Sequence, residues 1–362
     1  MNKEQKFHRA FKLQGKSFKS VEELLNFSKD LSVTVFNFLE KWFDKNDVVK
    51  VQTSGSTGKP KSILLKKQYM VNSALATGEF FNLSENTNAL LCLSVNYIAG
   101  KMMLVRALTL GWNLDFIEPI SNPLKNNIKK YDFLAMVPLQ LENSLDNLSN
   151  VKKIIVGGAP VSNHLLKQLQ NIDTTVFATY GMTETITHIA VKRLNNFKTV
   201  IASETKQSLY QALPNIKISK DDRNCLVINA PNISDTKIVT NDIVEIISST
   251  EFKWIGRLDT IINSGGVKLF PEEIESKLSK CIKNEFFVAG IKDEKLGEKL
   301  ILVIENSNQN STKEFIFNQI NSLKTLDKYQ KPKEIFFVDK LVKTPTEKIN
   351  RKETLKKIVT FP

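Results

Sequence analysis

Between residues 62 and 178 short apolar runs alternate with helix-length segments, and this alternation constrains the fold more than any other feature of the chain. The runs at 62–65, 89–95, 133–137, 152–156 and 175–178 have strand length, while 66–81, the stretch up to Leu110 and 163–169 read as helices. Strands interleaved with helices predict a layered α/β domain, and ligands of such domains bind outside the carboxyl ends of the strands. Two glycine-containing runs sit at predicted strand ends, Gly157-Gly158-Ala159-Pro160 and Tyr180-Gly181-Met182-Thr183-Glu184.

Their residue types suit a nucleotide. Gly158 and Ala159 allow close backbone approach, Tyr180 offers an aromatic face to a purine, Thr183 a hydroxyl and Glu184 a carboxylate for magnesium. Each has a structural reading when taken alone: the glycines as a turn, Tyr180 as core, Glu184 as a solvated charge. A third run precedes them, Thr53-Ser54-Gly55-Ser56-Thr57-Gly58-Lys59-Pro60-Lys61. Its glycines let backbone N–H groups turn toward an anion, its hydroxyls add donors, and Lys59 and Lys61 add charge. The alternatives are a solvated linker or a P-loop. The P-loop is excluded because it needs four residues between its glycines and a Ser or Thr after the lysine, where this chain has two residues and Pro60. Pro60 biases Lys59 toward an extended conformation, so the loop should run into the strand at 62–65.

From Arg257 onward the pattern becomes α+β. A helix is expected at 272–281 behind Pro271, strands near 285–290, 299–304 and 334–338, and a helix at 313–324, with Gly265-Gly266 in a turn just before the first helix. The division is therefore an N-terminal domain of residues 1–256 and a C-terminal domain of residues 257–362. Residues 21–43 carry an apolar period compatible with one or two helices.

Composition removes several classes. No run approaches a membrane span and residues 1–20 lack a secretory apolar segment, which predicts a soluble, cytoplasmic protein. Cys92, Cys225 and Cys281 show neither a disulfide framework nor zinc spacing, and three histidines provide poorly for metal catalysis. The net charge of +13 is scattered without a basic block, which argues against nucleic acid and favours small polyanionic ligands. Lys101 and Arg106 fall on a mostly apolar helical run after Asn96-Tyr97-Ile98-Ala99-Gly100. Either both cations point outward, or they face an anionic substrate, because a buried cation without an anion is costly.

Taken in order, these runs together with Thr240-Asn241-Asp242, Gly256-Arg257-Leu258-Asp259 and the loop from Lys343 to Arg351 resemble the acyl-adenylate-forming ligase superfamily, over most of the chain. The resemblance implies that Tyr180 stacks on adenine, Gly181 belongs to the same nucleotide-binding run, Thr183 holds the α-phosphate and Glu184 holds magnesium. It further implies that Asp242 accepts from the ribose hydroxyls, Arg257 contacts ribose or phosphate, Asp259 is the hinge, Lys348 is the catalytic lysine and Gly265 and Gly266 line the channel for CoA. ATP, Mg2+ and CoA are the implied cofactor and co-substrates, a small carboxylic acid is the partner, and a homo-oligomer stays open. The chain departs from the family pattern in three places. The phosphate loop begins early, so that much of the customary N-terminal region is missing; Glu347 stands where glycine usually precedes the lysine; and Asn241 replaces the common glycine.

Within that superfamily the segment from Asn96 to Arg106 and the run Ile261-Ile262-Asn263-Ser264-Gly265-Gly266 are similar to o-succinylbenzoate-CoA ligases of menaquinone biosynthesis. Such a substrate is a dicarboxylate: one carboxylate reacts and the other needs a cation. Tyr97, Gly100, Lys101 and Arg106 are the candidate acid-binding residues, Arg106 being the better suited to a bidentate grip. The alternatives are another aryl- or acyl-CoA ligase, an adenylation enzyme loading a carrier protein, and a non-catalytic adenine-nucleotide binder.

Overall fold

The computed structural model describes residues 6–52, 62–196, 209–306, 312–344 and 349–358. The phosphate loop, Thr53 to Lys61, and the lysine proposed for catalysis, Lys348, lie outside the described residues. The N-terminal segment forms strands β1 (Lys12–Leu13) and β2 (Lys16–Ser17) and helices α1 (Val21–Leu31) and α2 (Val33–Phe43). Ser20 starts α1 by accepting from the Glu23 amide, and acidic Glu22 and Glu23 occupy its first turn, where they complement the helix dipole. Strand β3 (Val48–Gln52) pairs antiparallel with β4 (Ser62–Lys66), so the chain does extend after the lysine-rich loop.

The α/β alternation follows as α3 (Lys67–Phe81), β5 (Asn88–Leu91), α4 (Ile98–Leu110), β6 (Asn113–Phe116), β7 (Tyr131–Met136), α5 (Pro138–Asn143), β8 (Val151–Val156), α6 (Asn163–Leu169) and β9 (Thr175–Gly181). Antiparallel strands come next: β10 (His188–Arg193), β11 (Tyr210–Ala212), β12 (Lys217–Lys220), β13 (Cys225–Asn229), β14 (Ile238–Ile246) and β15 (Glu251–Arg257). All except β3 and β4 join one thirteen-stranded sheet in the order β12-β13-β14-β15-β11-β10-β9-β8-β7-β5-β6-β1-β2. The strands from β9 to β1 run parallel, and beyond β9 the pairing turns antiparallel. Apolar side chains cover both faces, as a parallel sheet requires. Met70, Phe81, Met103 and Leu108 of α3 and α4 pack on one face, while Leu141, Leu165 and Leu169 of α5 and α6 pack on the other.

A short 3-10 turn, Leu258–Thr260, separates this sheet from a second one. The second sheet contains β16 (Ile262–Ser264), β17 (Val267–Leu269), β18 (Phe286–Asp293), β19 (Gly297–Glu305) and β20 (Glu334–Val338), with helices α7 (Pro271–Leu278), α8 (Lys313–Ser322) and α9 (Arg351–Ile358). The two-residue period of its strands builds two cores. Val288, Leu300, Leu302 and Ile304 face α7 and α8, and Phe287, Ala289, Ile301 and Val303 face α9. Among the described residues no helix is long and apolar enough to cross a membrane.

Several expected boundaries move. The strand expected at 89–95 ends at Leu91, and the helix expected at 272–281 ends at Leu278. Strand β9 continues through Tyr180 and Gly181, and Asp242 lies inside β14.

Candidate functional site

The sheet changes from parallel to antiparallel at β9, and the polar residues singled out from the sequence gather around the end of that strand. Tyr180 Oη donates to Asp242 Oδ2 at 2.6 Å, joining β9 to β14 across 62 residues of sequence. Burial, then the negative charge of Asp242, raises the Tyr180 phenol above its ordinary range, so it stays a neutral donor. Its ring is walled edge-on by Tyr210 and Phe252, at centroid distances of 5.7 and 5.2 Å. Asp242 is buried and its amide bonds Thr240 Oγ1 at 3.0 Å. Opposite it in the register of β14 and β15 stands Arg257, with Nη1 3.7 Å from Asp242 Oδ1. Arg257 also grips Asp259 with two bonds of 2.9 and 3.1 Å, and hydrogen bonding to Arg257 keeps the Asp259 carboxyl below its usual range. Tyr180, Asp242, Arg257 and Asp259 thus form one chain of polar contacts from the parallel strands to the junction between the two sheets.

The turn after β9 is tightly built. A Cβ at Gly181 would lie 2.3 Å from the Thr187 carbonyl oxygen, so only glycine lets β9 and the returning strand approach so closely. Thr185 is fully buried, and its hydroxyl holds the turn through Met182 and Thr187. Ile186 then adopts φ 67° and ψ −60°, with the Thr187 amide bonded to the Thr185 carbonyl at 2.7 Å. This is the strained hand of the γ-turn, rare for a β-branched residue, and strain of this kind concentrates at functional sites. Thr183 is half-buried in the turn, and Glu184 is exposed and makes no ion pair among the described residues. A single free carboxylate suits magnesium, which takes one or two protein carboxylates and fills its remaining positions with phosphate and water. No group of three or more metal-ligating side chains occurs among the described residues. Gly158, at φ 88°, and Ala159 follow β8 on the same edge, and Gly265 and Gly266 form the β16–β17 turn in the second sheet.

The acid-binding candidates fall in three different environments. Tyr97 is exposed at the start of α4, and Gly100 is a packing position, since a Cβ there would lie 2.3 Å from the Ser94 carbonyl oxygen. Lys101 turns back on its own chain, bonding the carbonyl oxygens of Val95 and Asn96 at 2.7 Å each, 6.0 Å from the centre of the Phe38 ring. Burial, helped by the charge of Lys41, pulls its amine down to about 8. Arg106 is 1% exposed and, among the described residues, has only long contacts to neutral groups: Thr77 Oγ1 at 3.4 Å, Met103 Sδ at 3.7 Å, Thr187 Oγ1 at 3.5 Å and His188 Nδ1 at 3.4 Å. Burial lowers it to about 9, which leaves it charged at neutral pH.

A cavity of about 240 Å3 is lined by Asn72, Ser73 and Ala76 of α3, by Ile216 and Ile233 from the loops after β11 and β13, and by His188, the residue that Arg106 contacts from behind. His188 was not among the residues singled out from the sequence. A lone histidine carries no motif, and its placement depends on β10 returning beside β9, where it pairs with Gly181.

Residues 4–227 match the family model described as AMP-binding enzyme. The chain belongs to that family. This agrees with the acyl-adenylate-forming resemblance of its ordered motifs. Its relatives include the 2-succinylbenzoate-CoA ligase of Lactococcus lactis, 26% identical over 331 residues that make up 86% of this chain and 71% of the relative. Among solved structures it is similar to an acyl-CoA synthetase (AMP-forming)/AMP-acid ligase II-like protein from Dyadobacter fermentans, with 38% identity, a TM-score of 0.58, and coverage of 90% of this chain and 94% of the other. The fold is also that of the Bacillus subtilis o-succinylbenzoate coenzyme A synthetase in complex with ATP and magnesium, at 22% identity and a TM-score of 0.71, covering 84% of this chain and 69% of the other.

Proposed function

We propose that the protein joins a small dicarboxylic acid, most simply o-succinylbenzoate, to CoA through an acyl-adenylate formed from ATP. The observation that carries this reading is the buried Arg106, a cation without an anionic partner among the described residues, which contacts His188 in the wall of a small cavity, and His188 pairs with Gly181 at the end of β9. Such a buried charge, one residue behind the cavity wall, favours an anionic substrate in the cavity. The cavity is smaller than the roughly 300–1,000 Å3 of ordinary small-molecule pockets, which suits one end of a compact acid better than a long acyl chain.

In this reading Tyr180 stacks on adenine, Asp242 accepts from the ribose through its remaining lone pairs, Arg257 neutralises phosphate, and Thr183, Gly158, Ala159 and the Thr53–Lys61 loop surround the phosphates. The substrate carboxylate attacks the α-phosphorus and pyrophosphate leaves, while Lys348 neutralises charge built up on the phosphate oxygens. Magnesium held by Glu184 would add charge neutralisation on the phosphates. The domain of residues 257–362 then turns about Asp259, withdraws Lys348 and presents Gly265 and Gly266 to the incoming thiol.

The test is pyrophosphate release with ATP and magnesium, with and without CoA, using o-succinylbenzoate beside benzoate and a fatty acid. Release requiring o-succinylbenzoate, with a thioester appearing only when CoA is present, is the expected result. Preferential release with benzoate or the fatty acid would keep a ligase and reject the acid. No release with any acid, despite ATP binding, would reject the enzyme reading.

A further inference from the structure

His188 lines the cavity and carries a hydrogen-bond donor with no partner among the described residues. His188 is 5% exposed, and its Nε2 is buried without a hydrogen-bond partner among the described residues. Its Nδ1 lies 3.4 Å from Arg106 Nη2. A guanidinium can only donate, so Nδ1 is the acceptor and the ring proton resides on Nε2. Burial and the neighbouring Arg106 charge both oppose a second proton, which leaves the ring neutral. Polar buried walls are otherwise sparse: Ser73 is buried beside His188, while Glu79, Asn215 and Asn232 are exposed at the rim. The cavity begins one strand away from the nucleotide-binding turn, because His188 and Gly181 are paired residues of β10 and β9.

We propose that His188 Nε2–H is the specificity donor for a carboxylate oxygen at the far end of the acid, and that Arg106 is the positioning residue that fixes this tautomer from behind. The assignment rests on the acid-ligase reading and deepens it. A neutral N–H backed by a buried cation favours an anionic acceptor, while an acid ending in an alkyl group would leave the donor buried and unmade. Enzymes reject analogues most strongly by leaving such site groups unpaired.

The test compares o-succinylbenzoate with 2-butanoylbenzoate and 4-oxo-4-phenylbutanoate, each of which lacks one of its two carboxylates. Binding is measured calorimetrically to the full chain with ATP analogue present, and His188 is followed by nitrogen NMR of ring-labelled protein. His188 should show the Nε2–H tautomer from pH 6 to 8, and its N–H proton should move downfield with the diacid. His188→Phe keeps a ring and removes the donor; it should weaken diacid binding about 10- to 100-fold while leaving ATP affinity unchanged. His188→Gln, with an amide N–H near the same place, should recover much of the loss. Arg106→Met should mix the tautomers and weaken the diacid, and Arg106→Lys should restore part of both. An Nδ1–H tautomer in wild type, equal binding of the diacid and both monoacids, or unchanged diacid binding in His188→Phe overturns the proposal. If His188→Phe does not fold, the tautomer and His188→Gln decide. Pyrophosphate release separates the two readings. Diacid binding with the expected His188 response but no release removes the ligase, whereas normal release in His188→Phe removes only the His188 assignment.

Discussion

Replacing Arg106 by methionine should make the protein more stable and less able to use its acid. The side chain is 1% exposed, and among the described residues its contacts of 3.4–3.7 Å reach only neutral acceptors. Burial lowers its pKa from 12.5 to about 9, which corresponds to a cost on the order of 5 kcal/mol for holding the charged form. The weak hydrogen bonds return part of that, and Met leaves His188 Nδ1 without its donor. Replacing buried charge with apolar side chains of similar shape typically stabilises by about 1–4 kcal/mol, so a net gain of about 1–3 kcal/mol is expected. Urea denaturation read by tryptophan fluorescence can measure it, since Trp112 is fully buried in the same core. The same variant should raise the KM for the diacid at least tenfold with little change in the KM for ATP. A loss of stability above about 1 kcal/mol with unchanged acid kinetics would refute the reasoning. Arg106 would then be an ordinary polar core residue whose long contacts matter more than its desolvation.

Two further outcomes follow from the polar contacts. Asp242→Asn keeps the shape of the residue bonded by Tyr180 at 2.6 Å but removes the charge facing Arg257. AMP affinity by calorimetry should fall about 10- to 100-fold, and unchanged affinity would exclude Asp242 from the nucleotide site. In the second sheet, Glu275 accepts from Arg351 and from the Val288 amide at 2.8 Å each, and burial lifts its carboxyl from 4.5 to about 7 against the pull of Arg351. A carboxyl raised in the folded state contributes stability that is present below pH 4.5 and lost as pH rises through about 7. Glu275→Gln should therefore flatten the stability profile between those limits, and an unchanged slope would mean that another group is responsible.

Element type was legible where one signal dominated. Helix α6 was expected at 163–169 and occupies Asn163–Leu169, because Ser162 caps it through the Leu165 amide and its apolar period is clear. Strand β20 was expected at 334–338 and occupies Glu334–Val338. The end of β9 was less legible: a strand was expected at 175–178, but the close approach of Thr187 that Gly181 allows lets the strand run on through Tyr180 and Gly181. Propensity also says nothing of Ile186, a β-branched residue held at positive φ by the buried Thr185 clamp. Contacts across strands were the least legible. Tyr180 with Asp242 and Arg106 with His188 are separated by 62 and 82 residues, and local periodicity carries no information about such pairs. Motif order nevertheless placed Tyr180, Asp242, Arg257 and Asp259 on one list, and the sheet brings those four together.

The helix that carries the proposed acid-binding residues depends on a part of the chain that carries no motif. Helix α4 bears Lys101 and Arg106, and the N-terminal segment packs against the region that holds it. The His8 amide bonds the Leu108 carbonyl at 2.8 Å, the Lys12 amide bonds the Trp112 carbonyl at 3.0 Å, and β1 pairs in parallel with β6. Phe7, Phe11, Phe18, Phe38, Trp42 and Phe43 fill the same core as Met102, Met103 and Leu104 of α4. This aromatic packing gives residues 7–43 a physical role: they support α4 at the edge of the sheet. Phe38→Leu should then act selectively. The ring is 4% exposed and sits under Lys101, so shortening it costs about 1 kcal/mol of packing and loosens the start of α4. The KM for the acid should rise severalfold while the KM for ATP, which the proposed function assigns to strands β8, β9, β14 and β15, stays constant. Equal changes in both constants would mean that the N-terminal segment supports the whole sheet and not the acid side, and the division of labour argued from α4 would fall.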